Sequence, residues 1–284
     1  MKILLAIPFY SLGTCGLFLL KAVLSLGHVV KVWDYRRSHN PPKGWYDLAI
    51  CWTTQPIHGK LVHVKKKILL YPDDDNWWAE HDVSRHIDNL KDHYDFVYTL
   101  NKIRGFNWLP MGYDPDLHKS MNISHVTYTS FIGTLRDEKR KKFIEDIGRT
   151  GTSIDVYGNN WDIWNSKGPV YYDDFVRVVC SSLLVVNQHY SEIGPSTKDI
   201  EIAAIGGGLL ISDDCPGVRQ ALPSVPIYKD VDELVDLIVY YKERPLEAKE
   251  LADKVKSEAL KFSYEKQVKK VIAKARESMI SGSG

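Results

Sequence analysis

Residues 194–214, GPSTKDIEIAAIGGGLLISDD, read as a turn, a short helix, a glycine break, a buried strand and an acidic turn. Ser196 is a strong N-cap residue, and Asp199 three positions on completes a capping-box pattern. Ile200, Ala203 and Ala204 fall at i, i+3, i+4 and would face a core. Lys198 and Glu201 are three apart and share a different face, in or beside the first turn. Gly206, Gly207 and Gly208 end the helix, and Leu209–Ile211 follows as a short apolar strand. A helix start presents unpaired N–H groups and partial positive charge to whatever lies in front of it. A lysine beside those groups makes a place for a phosphate. A glutamate one turn on accepts hydrogen bonds from sugar hydroxyls. Pyrophosphate on the helix end and lysine, with ribose on the glutamate, suits a nucleotide sugar. Taken alone, the same residues also read as a solvated helix with an i, i+3 charge pair.

The chain around this stretch has 284 residues, enough for two domains of ordinary size. Its 44% apolar and 26% charged residues describe a globular protein, and a net charge of +1 implies no polyelectrolyte partner for the whole. Cys15, Cys51, Cys180 and Cys215 are scattered without a CxxC, which favours reduced thiols in a cytoplasmic setting over a disulfide framework or zinc site. No apolar run reaches the length of a membrane span. The opening MKILLAIPF is too short for a signal-peptide core and reads as a first buried strand.

That strand opens a βαβ pattern: strand 2–8, a small-residue loop with Gly13 and Gly16, helix 17–26, strand 29–35. The loop lacks GxGxxG, so a tight βα turn is favoured over a phosphate cradle. Strand-like runs follow at 48–52, 67–71, 96–99 and 107–109, as in a parallel sheet covered on both faces. The run 67–71 leads into Pro72, Asp73, Asp74, Asp75, Asn76, Trp77 and Trp78, and loops beyond the carboxyl ends of parallel strands are where such folds place ligands. Three carboxylates there suit a metal, sugar hydroxyls or a base, or else a solvated acidic turn. Turn-rich residues 109–120 separate this half from a second alternation. It runs through strand 128–132, helix 137–148, strand 154–157, helix 172–180, strand 183–187 and the opening stretch. A short strand at 225–228 and helices 232–241 and 246–279 follow, with a break at 262–264. Residues 1–125 hold 15 Lys and Arg against 12 Asp and Glu, with nine of the ten histidines and six of the eight tryptophans, a surface suited to carbohydrate or nucleic acid.

The order of these features resembles the CgeB-like glycosyltransferases, a GT-B group related to glycosyltransferase family 4. FIGTLRDEKRKKFIEDI is similar to the family's first C-domain strand and phosphate loop, IDVYGNNW to its strand-Tyr-Gly-loop-Trp, and YYDDFVRVVCSSLLVVNQ to its helix and Asn-ended strand. STKDIEIAAIGGGLLISDD is similar to its phosphate-and-ribose helix; IYKDVDELVDLIVYYKERP and FSYEKQV complete the run. KKILLYPDDDNW and FNWLPMGYDPDLH resemble the family's aspartate-rich strand end and interdomain connection. There are two departures. Lys198 stands where the family commonly has arginine, so charge is kept and the bidentate fork is lost. Glu201 fits the second glutamate of the family-4 pair, while Glu192 lies nine residues before it, not eight.

The resemblance implies an α/β chain of GT-B fold, two Rossmann-like domains with parallel sheets facing across a cleft. These would be an acceptor-side domain at 1–125, a nucleotide-sugar domain at 126–262 and a C-terminal helix at 263–280 returning to the first. It implies transfer from a nucleotide-diphosphate sugar, with UDP expected, to an acceptor hydroxyl without metal or other cofactor. Donor binding would fall to Gly133, Thr134, Arg136, Tyr157, Gly158, Asn187, Ser196, Thr197, Lys198 and Glu201. Lys198 would also stabilise the leaving diphosphate. Asp74, with Asp73 next, would be the base of an inverting transfer. Ser11, Gly13, Thr14, Asp75 and Trp77 would line the acceptor side. The acceptor is left open between a glycan, a small molecule and hydroxylated bases of DNA, and a non-catalytic nucleotide-sugar-binding protein on the same fold is the further alternative.

Overall fold

The structure is a computed structural model that describes residues 1–8, 15–71, 83–163, 165–189 and 194–281. The chain divides into two compact units, Met1–Met111 with Phe262–Gly284, and Gly112–Lys261. Among the described residues no helix is long and apolar enough to cross a membrane.

The first unit is a six-stranded parallel sheet in the order β2-β1-β3-β4-β5-β6. The strands are β1 (Lys2–Ala6), β2 (Val29–Trp33), β3 (Tyr46–Trp52), β4 (Val64–Tyr71), β5 (Phe96–Thr99) and β6 (Asn107–Trp108). Ile3–Ala6 and Leu48–Cys51 are buried on both faces, as parallel strands between helices must be. β4 begins at Val64, before the apolar run that signals it, because Lys65 and Lys66 sit in the strand paired with Asp47 (3.1 Å) and Asp95 (2.9 Å). Helix α1 (Cys15–Ser25) connects β1 to β2, and α2 (Val83–Lys91) precedes β5. The final helix, numbered below, returns to this unit.

The second unit is a five-stranded parallel sheet, order β11-β10-β9-β7-β8. Its strands are β7 (Thr127–Ile132), β8 (Asp155–Tyr157), β9 (Ser182–Asn187), β10 (Leu209–Asp213) and β11 (Ile227–Tyr228). Helices α3 (Glu138–Arg149), α4 (Tyr172–Ser181), α5 (Thr197–Ile205), α6 (Pro216–Ala221), α7 (Val231–Glu243) and α8 (Pro245–Ala259) connect and follow them, and α9 (Tyr264–Ser281) ends the chain. Phe131, Ile147, Val156, Leu184, Val186, Ile211 and Leu234 form the centre of its core. The break expected at 262–264 is the gap between α8 and α9, and α9 packs on α1 in the first unit, with the Tyr264 and Phe18 ring centroids 5.6 Å apart.

The division falls at 111/112 and not near 125, because residues 112–125 are tied into the second unit. Tyr113 Oη donates to the Leu260 carbonyl (3.2 Å), Met121 N–H to Cys180 Sγ (3.2 Å), and His125 Nε2 pairs with the Gly207 carbonyl (3.1 Å).

Candidate nucleotide-sugar site

In the second sheet the connection from β7 goes to β8 on one side, and the chain then crosses to β9 on the other. β7 and β9 therefore flank the topological switch point, where parallel α/β sheets open a crevice at the carboxyl ends of their strands. Three cationic side chains gather there. Lys198 Nζ donates to the carbonyl of Ile132, the last residue of β7, at 2.8 Å. Arg140, buried on α3, spans the switch point, with Nη1 on the Thr134 carbonyl (3.0 Å) beyond β7 and Nη2 on the Gln188 carbonyl (2.6 Å) beyond β9. Arg136 is exposed on the loop between β7 and α3 and adds positive charge at Lys198.

Lys198 reaches this place because α5 starts where its sequence says it should. Ser196 is the N-cap, and its side chain and Asp199 form the reciprocal capping box. Gly206 at the other end is left-handed, φ +65°, and closes the helix. Asp199 does more than cap. It is fully buried, and its carboxylate also accepts from Asn187 Nδ2 (2.6 Å) and from His189 Nε2 (2.6 Å). Asn187, expected as a donor contact, thus has its amide engaged with the cap, and its carbonyl accepts from Tyr228 Oη (2.8 Å).

Glu201 lies one turn further along α5. Its Oε1 is 3.9 Å from Nε2 of the buried His118. The Asp114 N–H donates to His118 Nδ1 (2.8 Å), so Nδ1 is an acceptor and the ring proton sits on Nε2, toward Glu201. Asp114 also accepts from the N–H groups of Asp116 and Leu117, which folds 114–118 into the turn that aims the imidazole. This segment can lie on α5 because residue 112 has no side chain: a Cβ there would stand 2.7 Å from the Thr197 carbonyl oxygen and 2.8 Å from Ile200 Cβ.

Burial sets the electrostatics. It pushes the Lys198 ammonium down to about 8, with Arg140 adding to the shift and Glu201 and Asp199 opposing it. It pushes Glu201 up to about 8, against the pull of Lys198 and with the push of Asp199. Two partly desolvated groups of opposite sign thus wait on one helical turn with a common transition near pH 8.

The remaining expected donor residues follow β7 and β8. The Gly133 N–H is engaged by the Tyr157 carbonyl (2.7 Å), and its own carbonyl accepts from Trp161 Nε1 (2.6 Å). Gly158 has φ +151°, and a Cβ there would lie 2.1 Å from the Gly133 oxygen. Gly133, Thr134, Tyr157 and Gly158 therefore form two loops packed backbone to backbone at the same end of the sheet as Lys198. Ser11, Gly13, Thr14, Asp73, Asp74, Asp75, Trp77 and Glu192 lie outside the described residues. Arg140, His118, His189 and Asp213 were not singled out from the sequence; His189 and Asp213 stand at or just past strand ends, a signal visible once the strands are in order, whereas Arg140 lies within α3 and His118 in the turn after Asp114.

Residues 136–273 match the glycosyl transferase-like family model. No curated protein matches the chain. Among solved structures, HepE of Anabaena in complex with UDP-glucose is similar at TM-score 0.74 and 11% identity, over 96% of this chain and 100% of that one. AviGT4, a glycosyltransferase involved in avilamycin A biosynthesis, is similar at TM-score 0.64 and 13% identity, over 98% of each chain. The DNA-modifying enzyme β-glucosyltransferase is similar at TM-score 0.58 and 13% identity, over 97% of this chain and 99% of that one. At these identities the likeness is one of fold. The chain thus has the GT-B architecture over nearly its whole length, and its residues 136–273, which include α5, carry a glycosyl transferase-like domain.

Proposed function

We propose that the enzyme transfers a sugar from a UDP-sugar to an acceptor hydroxyl. The diphosphate rests on the N-terminus of α5 and on Lys198, with Arg136 and Arg140 adding to the positive potential, and Glu201 accepts the ribose hydroxyls. The observation that carries this reading is the position of Lys198 Nζ, 2.8 Å from the last carbonyl of β7 at the switch point, one helical turn from Glu201. UDP is the proposed nucleotide because HepE of similar fold is seen with UDP-glucose and with UDP.

Bond cleavage leaves growing negative charge on the β-phosphate. Fixed cations and oriented N–H groups stabilise that charge without reorganising, which is where an active site gains most. In this reading Lys198 and the helix tip supply the stabilisation, and a divalent ion is not required; turnover unchanged by a chelator is the expected result. For an inverting transfer the proposed base is Asp74, with Asp73 next, and the anomeric configuration of the product decides whether a base is needed.

A second acceptor reading is supported by the basic, aromatic-rich first 125 residues and by the fold shared with a DNA-modifying β-glucosyltransferase. Here the acceptor is a hydroxylated base in DNA, and duplex binding that weakens steeply with salt is expected. A thermal-shift series with UDP, GDP and ADP tests the donor reading, because a ligand that binds the folded state raises apparent stability by mass action. UDP should give the largest shift; no shift with UDP would overturn it.

A further inference from the structure

The buried imidazole of His189 is used by no step above, yet both of its ring nitrogens are bonded to carboxylates. It lies two residues past β9. Its Nε2 bonds Asp199 Oδ2 at 2.6 Å, its Nδ1 bonds Asp213 Oδ1 at the end of β10, and its own backbone N–H donates to both Asp213 oxygens (3.1 and 3.0 Å). A neutral imidazole has one N–H, so donating to two carboxylates requires the doubly protonated ring. The ring also has no room to swing. A Cβ on Gly194 would meet His189 Nε2 at 3.0 Å and Cys215 Sγ at 2.6 Å, so even a methyl group does not fit beside it.

The partner that matters is Asp199. This carboxylate sits in the first turn of α5, the turn proposed to hold a diphosphate. A capping carboxylate favours the helix but repels an anionic ligand. We propose, resting on the donor reading above, that His189 is a positioning residue: its imidazolium cancels the charge of Asp199 behind the helix tip and fixes the tip, so that the turn bearing Lys198 stays positive toward the diphosphate. The other titratable groups on this cluster are Asp213, Cys215 and Tyr228. Asp213 is the second anchor. The Cys215 thiol is raised by burial, and Tyr228 is raised by burial with its hydroxyl bonded to the Asn187 carbonyl. Neither competes with His189 for the proton. Burial disfavours the charged ring, but Asp199 and Asp213 outweigh it and hold His189 well above the usual histidine range.

The test compares UDP with uridine, which lacks the phosphates, by calorimetry on wild type and His189→Gln. Glutamine keeps one donor and loses the charge. UDP affinity should fall about tenfold in the variant while uridine affinity stays within about twofold, as the loss of one buried charge pair near an anion implies. UDP affinity unchanged, or UDP and uridine weakened by the same factor, would overturn the proposal. Wild-type protein that binds uridine and UDP equally would overturn the donor reading and this proposal together, whereas wild-type discrimination with an indifferent His189→Gln sinks this proposal alone. Should the variant not fold, nitrogen chemical shifts of histidine-labelled wild type decide the matter: both His189 ring nitrogens should show the imidazolium signature at pH 8, and a neutral ring at pH 7 would overturn the claim.

Discussion

Lys198 Nζ and the Ile132 carbonyl are 2.8 Å apart, and this bond joins the first turn of α5 to the last residue of β7 across the switch point of the second sheet. Lys198→Ala removes that bond and the charge at once. A charge-assisted bond to a phosphate is worth about 1.5–3 kcal/mol, so UDP affinity and kcat/KM should fall about 10- to 100-fold with the fold retained. Lys198→Arg keeps the charge and offers a planar fork, and it should keep most of the activity. Donor titrations of both variants check this.

The pH dependence of donor binding follows from the two shifts. Binding needs Lys198 charged, which fails as pH rises through about 8, and Glu201 ionised, which fails as pH falls through about 8. The affinity for UDP should therefore be bell-shaped and centred near pH 8. Glu201→Gln should remove the acid limb and Lys198→Met the alkaline limb. A flat profile in the wild type would contradict the assignment.

Stability runs the other way. The folded pKa of Glu201 lies above its unfolded value, so its ionisation opposes folding; this cost appears as pH rises from about 4.5 to about 8 and then levels off. Glu201→Gln removes the cost and should raise the melting temperature of the ligand-free protein at pH 8 by a few degrees, about 1 kcal/mol, while reducing the gain from added UDP. Scanning calorimetry with and without UDP separates the two effects.

Two glycines are placed for close backbone approach and should not tolerate a methyl group. Gly158→Ala puts a Cβ 2.1 Å from the Gly133 oxygen on a backbone with φ +151°, and about 2–4 kcal/mol of destabilisation is expected. Gly112→Ala presses instead on Thr197 and Ile200 of α5, so it should weaken UDP binding more than it lowers the denaturant midpoint. Urea titrations beside donor titrations distinguish them.

Much of this was legible in the sequence, and the reasons are local. The Ser196 and Asp199 pair is a short-range signal, and so are the apolar run 209–211 and the strand–helix alternation; the capping box, β10 and the two parallel sheets follow from them, while the GT-B fold was legible through the family resemblance. β4 was seen only in part, because lysines 65 and 66 hide their pairing with carboxylates 18 and 29 residues away. Residues 112–125 read as part of the first domain, behind the turn-rich run 109–120, since nothing local says that a missing side chain at Gly112 packs on α5. His189, Arg140 and Asp213 stayed silent for the same reason: each acts across strands that are neighbours in the sheet and distant in the chain. Asn187 was noticed for its place at a strand end, while the partner it serves, Asp199, was noticed only as a cap.

The central claim is that the α5 tip and Lys198 hold a diphosphate while Glu201 holds the ribose. Titrating UDP and uridine into wild type, Lys198→Ala and Glu201→Ala by calorimetry tests both halves at once. Lys198→Ala should lose UDP affinity and keep uridine affinity, and Glu201→Ala should lose both. Wild-type affinity for UDP in Lys198→Ala would contradict the account.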